Sequence, residues 1–564
     1  MHRHDPRRSP ALRHPGKSGT AARLHLRLRS GGARLCRDRA PSDAPRRHRT
    51  GRTLGSHGGE ATVTEDGGVK PVQDRRISVD SRRVAPGDAF VCLRGAHVDG
   101  HDYAAEAVRR GAATVVSEHP LPLPPGVESI VVADAYAALS SLAAAHFGHP
   151  SRALRCIGVT GTNGKTTTTY LVQGILAEAG VPCAVFGTLG ARFADRSWAL
   201  ENTTPLALDL QELLAEVRAA GARAVVMEVS SHALALHRAD DVEFDVAAFT
   251  NLTQDHLDFH GTLEAYEAAK RVLFTGLLAR SARQPERVKA PGTAVLNADD
   301  ATARRWLAQA WPVAETLSYG FSAGNTAGVR AEDVDLRGEQ TRFLLRHNSA
   351  TAPVKLSLPG RFNVSNALCA AGCGVALGLD LETIARGLGR LHNVPGRMMP
   401  VAPPEGSAGA EALPKVIVDY AHTPDGLANV LDAVRPATLG RVIVVFGAGG
   451  DRDRRKRPLM GAAAAERADI LYVTSDNPRT EDPRSIIDDV MEGVSSALAR
   501  GVHCGVSVIV DRAAAIGAAI AAGGSRDVVV IAGKGHEDYQ IVGEERRPFS
   551  DAVVARAAME ERLR

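Results

Sequence analysis

Residues 155–169, RCIGVTGTNGKTTTT, bring three glycines, a lysine and a run of threonines together, and these residue types at this spacing bind phosphate. The apolar residues Cys156, Ile157 and Val159 predict a buried strand. After it comes a turn carrying Gly161 and Gly164, then Lys165, Thr166 and Thr167, and then TYLVQGILAEAG with helical apolar spacing. A strand that turns through glycines into a helix start aims backbone N–H groups and the positive end of the helix dipole at an anion. Lys165 would then sit on the β- and γ-phosphates and Thr166 would offer its hydroxyl to Mg²⁺. The spacing departs from G-x-x-x-x-G-K-[ST], which would want a glycine at Val159. A plain strand-to-helix turn is the competing explanation, but the strand, glycine turn and Lys-Thr pair together predict an ATP site.

Two other reactive groups fall just past predicted strand ends. Glu228 closes the apolar run of ARAVVMEVSSHAL, where a lone carboxylate needs a partner or a metal. His256 lies in the polar loop of DVAAFTNLTQDHLDFHGTLEAYEAAKRVLF, between a strand and a helix. A carboxylate, an imidazole and the Thr166 hydroxyl beside phosphates would make a Mg²⁺ shell, although histidine is a less usual ligand for a hard cation. The competing role for His256 is that of a loop hydrogen-bonder.

The elements that must hold these groups follow from length and pattern. At 564 residues and 44% hydrophobic content, the chain can build several packed domains, and no apolar run is long enough to span a membrane. Seven cysteines without a CxxC pair fit a reducing, cytoplasmic setting. Cys369 and Cys373, the closest pair, should share one helix face rather than bind metal. The net charge of +4 hides an asymmetry: residues 1–60 carry +11, so the other 504 carry −7. Residues 1–65 form a basic, aperiodic stretch expected to be a disordered tail, or to lie upstream of the true start. A nucleic-acid-binding arm is the alternative.

Residues 66–150 read as a small α/β domain, with Asp80-Ser81-Arg82 at a strand end and its role left open by spacing alone. Residues 151–393 alternate strands and helices around the phosphate loop, including the amphipathic LDLQELLAEVRAAG. Residues 394–564 carry five strand signals, PKVIVDYAH, GRVIVVFGAGG, ADILYVTSD, VSVIVDR and DVVVIAGKGHE, separated by helical segments. That pattern predicts a doubly wound, Rossmann-like parallel sheet with ligands at the carboxyl ends of its strands. The GAGGD turn lacks dinucleotide spacing and leads into Arg452, Arg454, Arg455, Lys456 and Arg457. Guanidiniums suit carboxylates or phosphates, and part of that run should be a solvated helix start.

Taken together, GTNGKTTT, MEVSSHAL, TNLTQDHLDFHG with YEAAK, GRFNVSN, NVPGRM, DYAHTPD and DNPR resemble the ATP-dependent Mur ligases of peptidoglycan synthesis, in particular their diaminopimelate-adding branch. The similarity runs from about residue 78 nearly to the C-terminus, and residues 1–65 match nothing in it. It implies that Gly161, Thr162, Asn163, Gly164, Lys165, Thr166, Thr167 and Thr168 line the ATP phosphates. Asn363, Asn366, Arg397 and Asp419 match positions tied to nucleotide binding and domain closure. Glu228 and His256 match Mg²⁺ ligands, and Lys270 a lysine that the family carbamylates to hold a second Mg²⁺. Ser81, Thr203, Thr204, Ser230 and Arg238 match contacts to UDP-N-acetylmuramoyl-L-alanyl-D-glutamate, although glutamine is frequent in the family where Leu236 stands here. Arg452, Asp476, Asn477, Pro478, Arg479, Gly533 and Glu537 match the diaminopimelate site.

The implied chemistry transfers the γ-phosphoryl of ATP to the D-glutamyl γ-carboxylate, and the amine then displaces phosphate. The resemblance further implies a cytoplasmic monomer with no nucleic-acid partner. A sister ligase adding lysine or polyglutamating folate would share the ATP site but not DNPR. A nucleotide-binding regulatory protein would not need Lys165, Glu228, His256 and Lys270 together.

Overall fold

The protein is represented by a computed structural model that describes residue 72, residues 75–95 and residues 98–564, except 280–282, 322–327, 338–339 and 405. The basic stretch of residues 1–65 lies outside the described residues.

Three sheets carry the chain. The first is all parallel: β1 (Ile77–Ser78), β2 (Ala89–Val91), β3 (Thr114–Ser117) and β4 (Glu128–Val131) lie in sequence order. Its last helix, Ala135–His146, starts where the Asp134 carboxylate accepts the Ala137 N–H, and it buries an alanine- and leucine-rich face.

The central sheet is built on β5 (Arg155–Thr160), β6 (Cys183–Gly187), β7 (Gly190–Phe193), β8 (Arg196–Trp198), β9 (Ala224–Glu228), β10 (Val246–Phe249) and β11 (Thr293–Asn297). It continues through β12 (Glu315–Gly320), β13 (Val329–Asp335), β14 (Thr341–His347) and β15 (Ala350–Leu356). The order is β15-β14-β13-β12-β11-β10-β5-β9-β6-β7-β8. From β13 across to β6 the pairings are parallel, and β14–β15 and β7–β8 extend the two ends antiparallel. The central parallel strands β5, β6, β9, β10 and β11 are buried, mostly apolar runs, as expected where helices cover both faces. On one face the helices Lys165–Glu178, Arg361–Ala376 and Leu381–Gly389 form a single core with β5 and β9. Cys369 and Cys373 share the buried side of the Arg361–Ala376 helix, as their spacing predicts.

The third sheet has the order β16 (Met399–Val401), β17 (Lys415–Asp419), β21 (Val528–Ala532), β18 (Val442–Phe446), β19 (Ile470–Val473) and β20 (Gly505–Val508). All five strands read from the sequence are present and parallel, and β16 adds an antiparallel edge. The carboxyl ends of β17, β18, β19 and β21 therefore open on one side, where a parallel sheet binds ligands. A hairpin, β22 (Tyr539–Val542) and β23 (Glu545–Pro548), joins that side through an Arg479–Val542 bridge. Among the described residues no helix is long and apolar enough to cross a membrane.

Candidate active site

The strand-to-helix turn forms as its sequence predicts. Gly161 at φ +148° and Gly164 at φ +87° both adopt backbone that side chains resist, and a Cβ on Gly161 would fall 1.9 Å from the Thr250 hydroxyl. The loop is braced by the segment after β10. Asn251 accepts the Asn163 N–H (2.9 Å) on its Oδ1 and the Thr162 N–H (2.9 Å) on its carbonyl, and the Thr250 hydroxyl donates to the Asn163 carbonyl (2.7 Å). Lys165 Nζ donates to the carbonyls of Gly161 and Thr162, each at 3.0 Å, so the ammonium folds back over its own loop. Burial lowers the pKa of Lys165, against the pull of Glu228 and Asp255.

Glu228, at the end of β9, is nearly fully buried and has the partners its position demands. It accepts from the hydroxyl of Thr166 (2.9 Å) and from the N–H (2.9 Å) and hydroxyl (3.2 Å) of Thr188. A carboxylate and a hydroxyl held together are hard oxygen donors suited to Mg²⁺. Among the described residues no three His, Cys, Asp or Glu side chains form a metal cage. The donors therefore fit a cation shared with substrate phosphates rather than a site closed by protein.

His256 stands at φ +53°, with its ring 3.3 Å from the Asp255 carboxylate. Burial pushes its pKa down despite Asp255, which favours the neutral ring with a lone pair. Lys270, on the Leu263–Val272 helix, is buried, donates from Nζ to the Gly161 carbonyl (2.9 Å) and lies 4.3 Å above the Tyr266 ring. Burial and the neighbouring Lys165 hold its pKa well below the usual lysine range. It is not the surface lysine that an amphipathic helix would suggest.

A cavity of about 220 Å³ brings much of the expected ATP set together: Asn163, Gly164, Lys165 and Thr166 on one wall, Asn363, Asn366, Arg397 and Asp419 on the other. Thr162, Thr167, Thr203, Glu228, Ser230 and His256 also line it. Gly161, Thr168, Lys270, Thr204 and Arg238 do not line it and support it from behind, with the Thr168 side chain fully buried. Asn366 donates to Asn363 Oδ1 (3.2 Å) and its own oxygen packs on Gly164. Asp419, at the end of β17, accepts the N–H groups of Met398 (2.6 Å) and Ala421 (2.7 Å) and so fixes the chain that presents Arg397.

Of the residues matched to the UDP-dipeptide, four gather beside Glu228. Thr204 donates to the Glu228 carbonyl (2.9 Å) and accepts the Ser230 N–H (3.1 Å), Arg238 donates to the Thr204 carbonyl (3.0 Å), and Thr203 meets Thr188 (3.2 Å). Ser81 is buried in a separate turn after β1, capped by Asp80.

The residues matched to diaminopimelate lie past the carboxyl ends of β18 (Arg452), β19 (Asp476, Asn477, Pro478 and Arg479) and β21 (Gly533 and Glu537). Arg479 has φ +51° and donates to the Gly450 carbonyl (2.6 Å), and among the described residues it has no carboxylate partner. Burial and Arg452 lower its pKa. Asn477 Nδ2 donates to Glu537 (2.9 Å), Gly533 at φ +119° packs on the Asp476 carboxylate, and Pro478 is buried.

The basic run after β18 divides. Arg452, Arg454 and Arg455 are exposed, as a solvated helix start should be. Arg457 is fully buried, paired with Glu481 (2.8 Å) and Asp489 (2.8 Å), and Lys456 lies 3.5 Å from buried Asp255 of the central domain. Sequence reading missed Asp255, Lys456 and Lys534. Their partners are up to 201 residues away in sequence; the basic run, TNLTQDHLDFHG and GKGHE contain them, but nothing local singles them out.

Models described as the Mur ligase family catalytic domain, the Mur ligase middle domain and the Mur ligase glutamate ligase domain match residues 75–147, 159–374 and 407–535. A UDP-N-acetylmuramoyl-L-alanyl-D-glutamate–2,6-diaminopimelate ligase of Geobacter sulfurreducens is 45% identical over 489 residues, covering 85% of this chain and 93% of its own. One of the same name from Gloeobacter violaceus is 46% identical over 487 residues, covering 86% and 94%. A solved structure of that name aligns over 87% of this chain and 95% of its own, with a TM-score of 0.58 and 34% identity. A MurF ligase of Thermotoga maritima, solved with ADP, shares the fold at a TM-score of 0.58 and 18% identity, over 89% of this chain and 99% of its own.

Proposed function

The chain belongs to the Mur ligase family of ATP-dependent amide-forming ligases, and we propose that it joins diaminopimelate to the D-glutamyl γ-carboxylate of UDP-N-acetylmuramoyl-L-alanyl-D-glutamate in peptidoglycan synthesis. The relatives at 45% and 46% identity carry that activity in their names. The observation that carries the choice of amino acid is Arg479, a partly buried guanidinium without a carboxylate partner among the described residues. The distal carboxylate of diaminopimelate would supply that partner.

A carboxylate is a poor acyl donor, so the γ-phosphoryl of ATP first passes to it to give an acyl phosphate. Lys165, held over the phosphate loop, offsets the repulsion between ATP and carboxylate oxygens. Asn363, Asn366 and Asp419 shape the nucleotide side of the cavity, and Arg397 reaches in from the C-terminal side. Two Mg²⁺ ions would be held by Thr166, Glu228, His256 and a carbamylated Lys270. When bound, they would neutralise charge on the transferred group. Ser81, Thr203, Thr204, Ser230 and Arg238 would position the UDP-dipeptide. The amine of diaminopimelate then attacks the acyl carbon, phosphate leaves, and the amine proton passes to solvent. Closure of the domains would protect the acyl phosphate from water.

On this reading residues 66–150 serve the UDP substrate, 151–393 ATP and 394–564 the amino acid, in the cytoplasm. The unpaired described cysteines, all but Cys504 buried, agree with a reducing compartment. Phosphate release measured with ATP, the UDP-dipeptide and a panel of amino acids tests the proposal. Release should need both co-substrates and should strongly favour diaminopimelate. Release with lysine alone would overturn it.

A further inference from the structure

Behind Arg479 lies a lysine that the mechanism does not use. Lys534, just past β21, has a side chain with no solvent exposure. Its Nζ donates to Glu537 Oε2 (3.0 Å) and to Asn477 Oδ1 (3.0 Å), and it lies 3.9 Å from Asp476 Oδ1. Asn477 Oδ1 also accepts the Ile541 N–H (2.9 Å), and its Nδ2 donates to the same Glu537 Oε2. One carboxylate oxygen of Glu537 thus takes two donors, and Oε1 has no partner among the described residues. A buried lysine is costly unless paired, so this one answers a specific need of the site.

The need is visible in the formal charges. Around Arg479 stand Arg452, Asp451, Asp476 and Glu537, and Lys534 joins the last two. Arg512, also near Asp476, is matched by a two-pronged pair with Asp551, both contacts at 2.7 Å. With Lys534 counted, this group around Arg479 holds three positive side chains (Arg452, Arg479, Lys534) and three negative ones (Asp451, Asp476, Glu537). Without it the pocket would carry one excess negative charge. A balanced pocket receives a zwitterionic head, whereas a negative pocket attracts a lone ammonium.

We propose that Lys534 is a positioning and specificity-determining residue, which turns the free oxygen of Glu537 toward the substrate and balances the pocket for an amino-acid head rather than a simple amine. This inference rests on the diaminopimelate reading above and adds to it the residue that enforces the choice.

The test compares wild type with Lys534→Met, Lys534→Gln and Lys534→Arg, measuring KM and kcat for diaminopimelate and for lysine at saturating ATP and UDP-dipeptide. In the two neutral variants the preference for diaminopimelate over lysine should fall by about tenfold to a hundredfold, the range carried by hydrogen bonds to charged groups. KM for lysine should stay level or drop, and Lys534→Arg should keep most of the preference. Equal losses on both amino acids would mark Lys534 as merely structural and overturn the inference, as would an unchanged preference. Should the neutral variants fail to fold, the wild-type enzyme decides. It should reject 2-aminopimelate, which has the distal carboxylate but no amine, as well as lysine, and ready use of 2-aminopimelate would overturn the charge balance. Failure of wild type to use diaminopimelate at all would instead count against the functional assignment.

Discussion

Arg397 Nη2 donates to the hydroxyl oxygen of Thr166 over 3.2 Å, while that hydroxyl donates to Glu228. An arginine 231 residues further along the chain thereby touches the threonine that follows the phosphate lysine. Its guanidinium lies 4.4 Å above the Tyr420 ring, and the Asp419 carboxylate holds the adjacent Met398 N–H. The phosphate loop and the chain leading into the C-terminal sheet are thus joined, and on the proposed mechanism this is where charge would build up on the transferred phosphoryl.

The first prediction concerns that contact. Arg397→Ala should lower kcat by about a hundredfold or more, as loss of one preorganised donor does, with a smaller change in KM for ATP. Arg397→Lys should fall between the two, since lysine keeps the charge but not the planar fork. Steady-state kinetics with varied ATP check this. A shift in melting temperature with kcat intact would reduce Arg397 to a structural tie.

The second concerns Lys270. Burial and the neighbouring Lys165 disfavour the charged form of this amine, and the neutral amine is the form that adds to CO₂, releasing a proton and leaving a carbamate. The carbamate nitrogen keeps one N–H for the Gly161 carbonyl. Protein incubated with ¹³C-bicarbonate should show a carbamate carbonyl resonance that vanishes in Lys270→Ala. Lys270→Ala should lose nearly all turnover, and Lys270→Glu should retain a little because it supplies oxygen donors. Normal turnover in Lys270→Ala would end the idea.

The third uses pH. Asp527, at the start of β21, accepts from the Arg441 N–H (2.7 Å) and guanidinium (2.7 Å) and from the Gly524 N–H (2.9 Å). Burial would raise its pKa, but these donors hold it down to about 2, from an ordinary 3.8. A carboxylate depressed on folding stabilises the protein fully above its unfolded value, and that stability fades as pH falls through the folded one. Solvent near the site screens the pair, so Asp527→Asn should cost about 1 kcal/mol at neutral pH. Denaturant midpoints should show a constant gap from pH 7 to about pH 5 that narrows below about pH 4. A gap that widened on acidification would contradict the assignment.

What the sequence made legible was local. Gly161, Gly164, Lys165 and Thr166 lie within six residues, and the strand and helix on either side are written in apolar spacing, so the loop could be read directly. Glu228 could be placed because a carboxylate ending a buried strand has few other uses. The pairs that bind distant segments could not: Lys456 with Asp255, Arg457 with Glu481 and Asp489, and Thr250 and Asn251 bracing Asn163. Arg457 and Arg454 are three residues apart in one basic run and both reach Asp489, yet one is fully buried and the other exposed, because Arg454 precedes the Lys456–Ala465 helix and tertiary packing covers only Arg457. Lys270 could not be read from its helix pattern alone; only the family resemblance pointed it inward, and it is buried against the Gly161 carbonyl.

The last prediction asks what selects the amino acid. Pro478 fixes the turn after β19, so Arg479 projects from a defined backbone at φ +51°, tied by its N–H to the Ile541 carbonyl (3.1 Å). Pairing with Glu481 would have made it structural, but Glu481 is taken by Arg457 and by the Asp451 N–H (2.6 Å). The guanidinium spends one donor on the Gly450 carbonyl and keeps others for a carboxylate, which diaminopimelate offers and lysine lacks. With lysine bound, a partly desolvated cation would remain unpaired, so discrimination of about a thousandfold or more is expected of a site built to pair a polar group. Arg479→Ala and Arg479→Lys should raise KM for diaminopimelate strongly and leave those for ATP and the UDP-dipeptide nearly unchanged. If all three constants moved together, Arg479 would be holding the turn rather than the substrate. If the diaminopimelate-to-lysine preference were unaltered in Arg479→Ala, it would have no part in the choice.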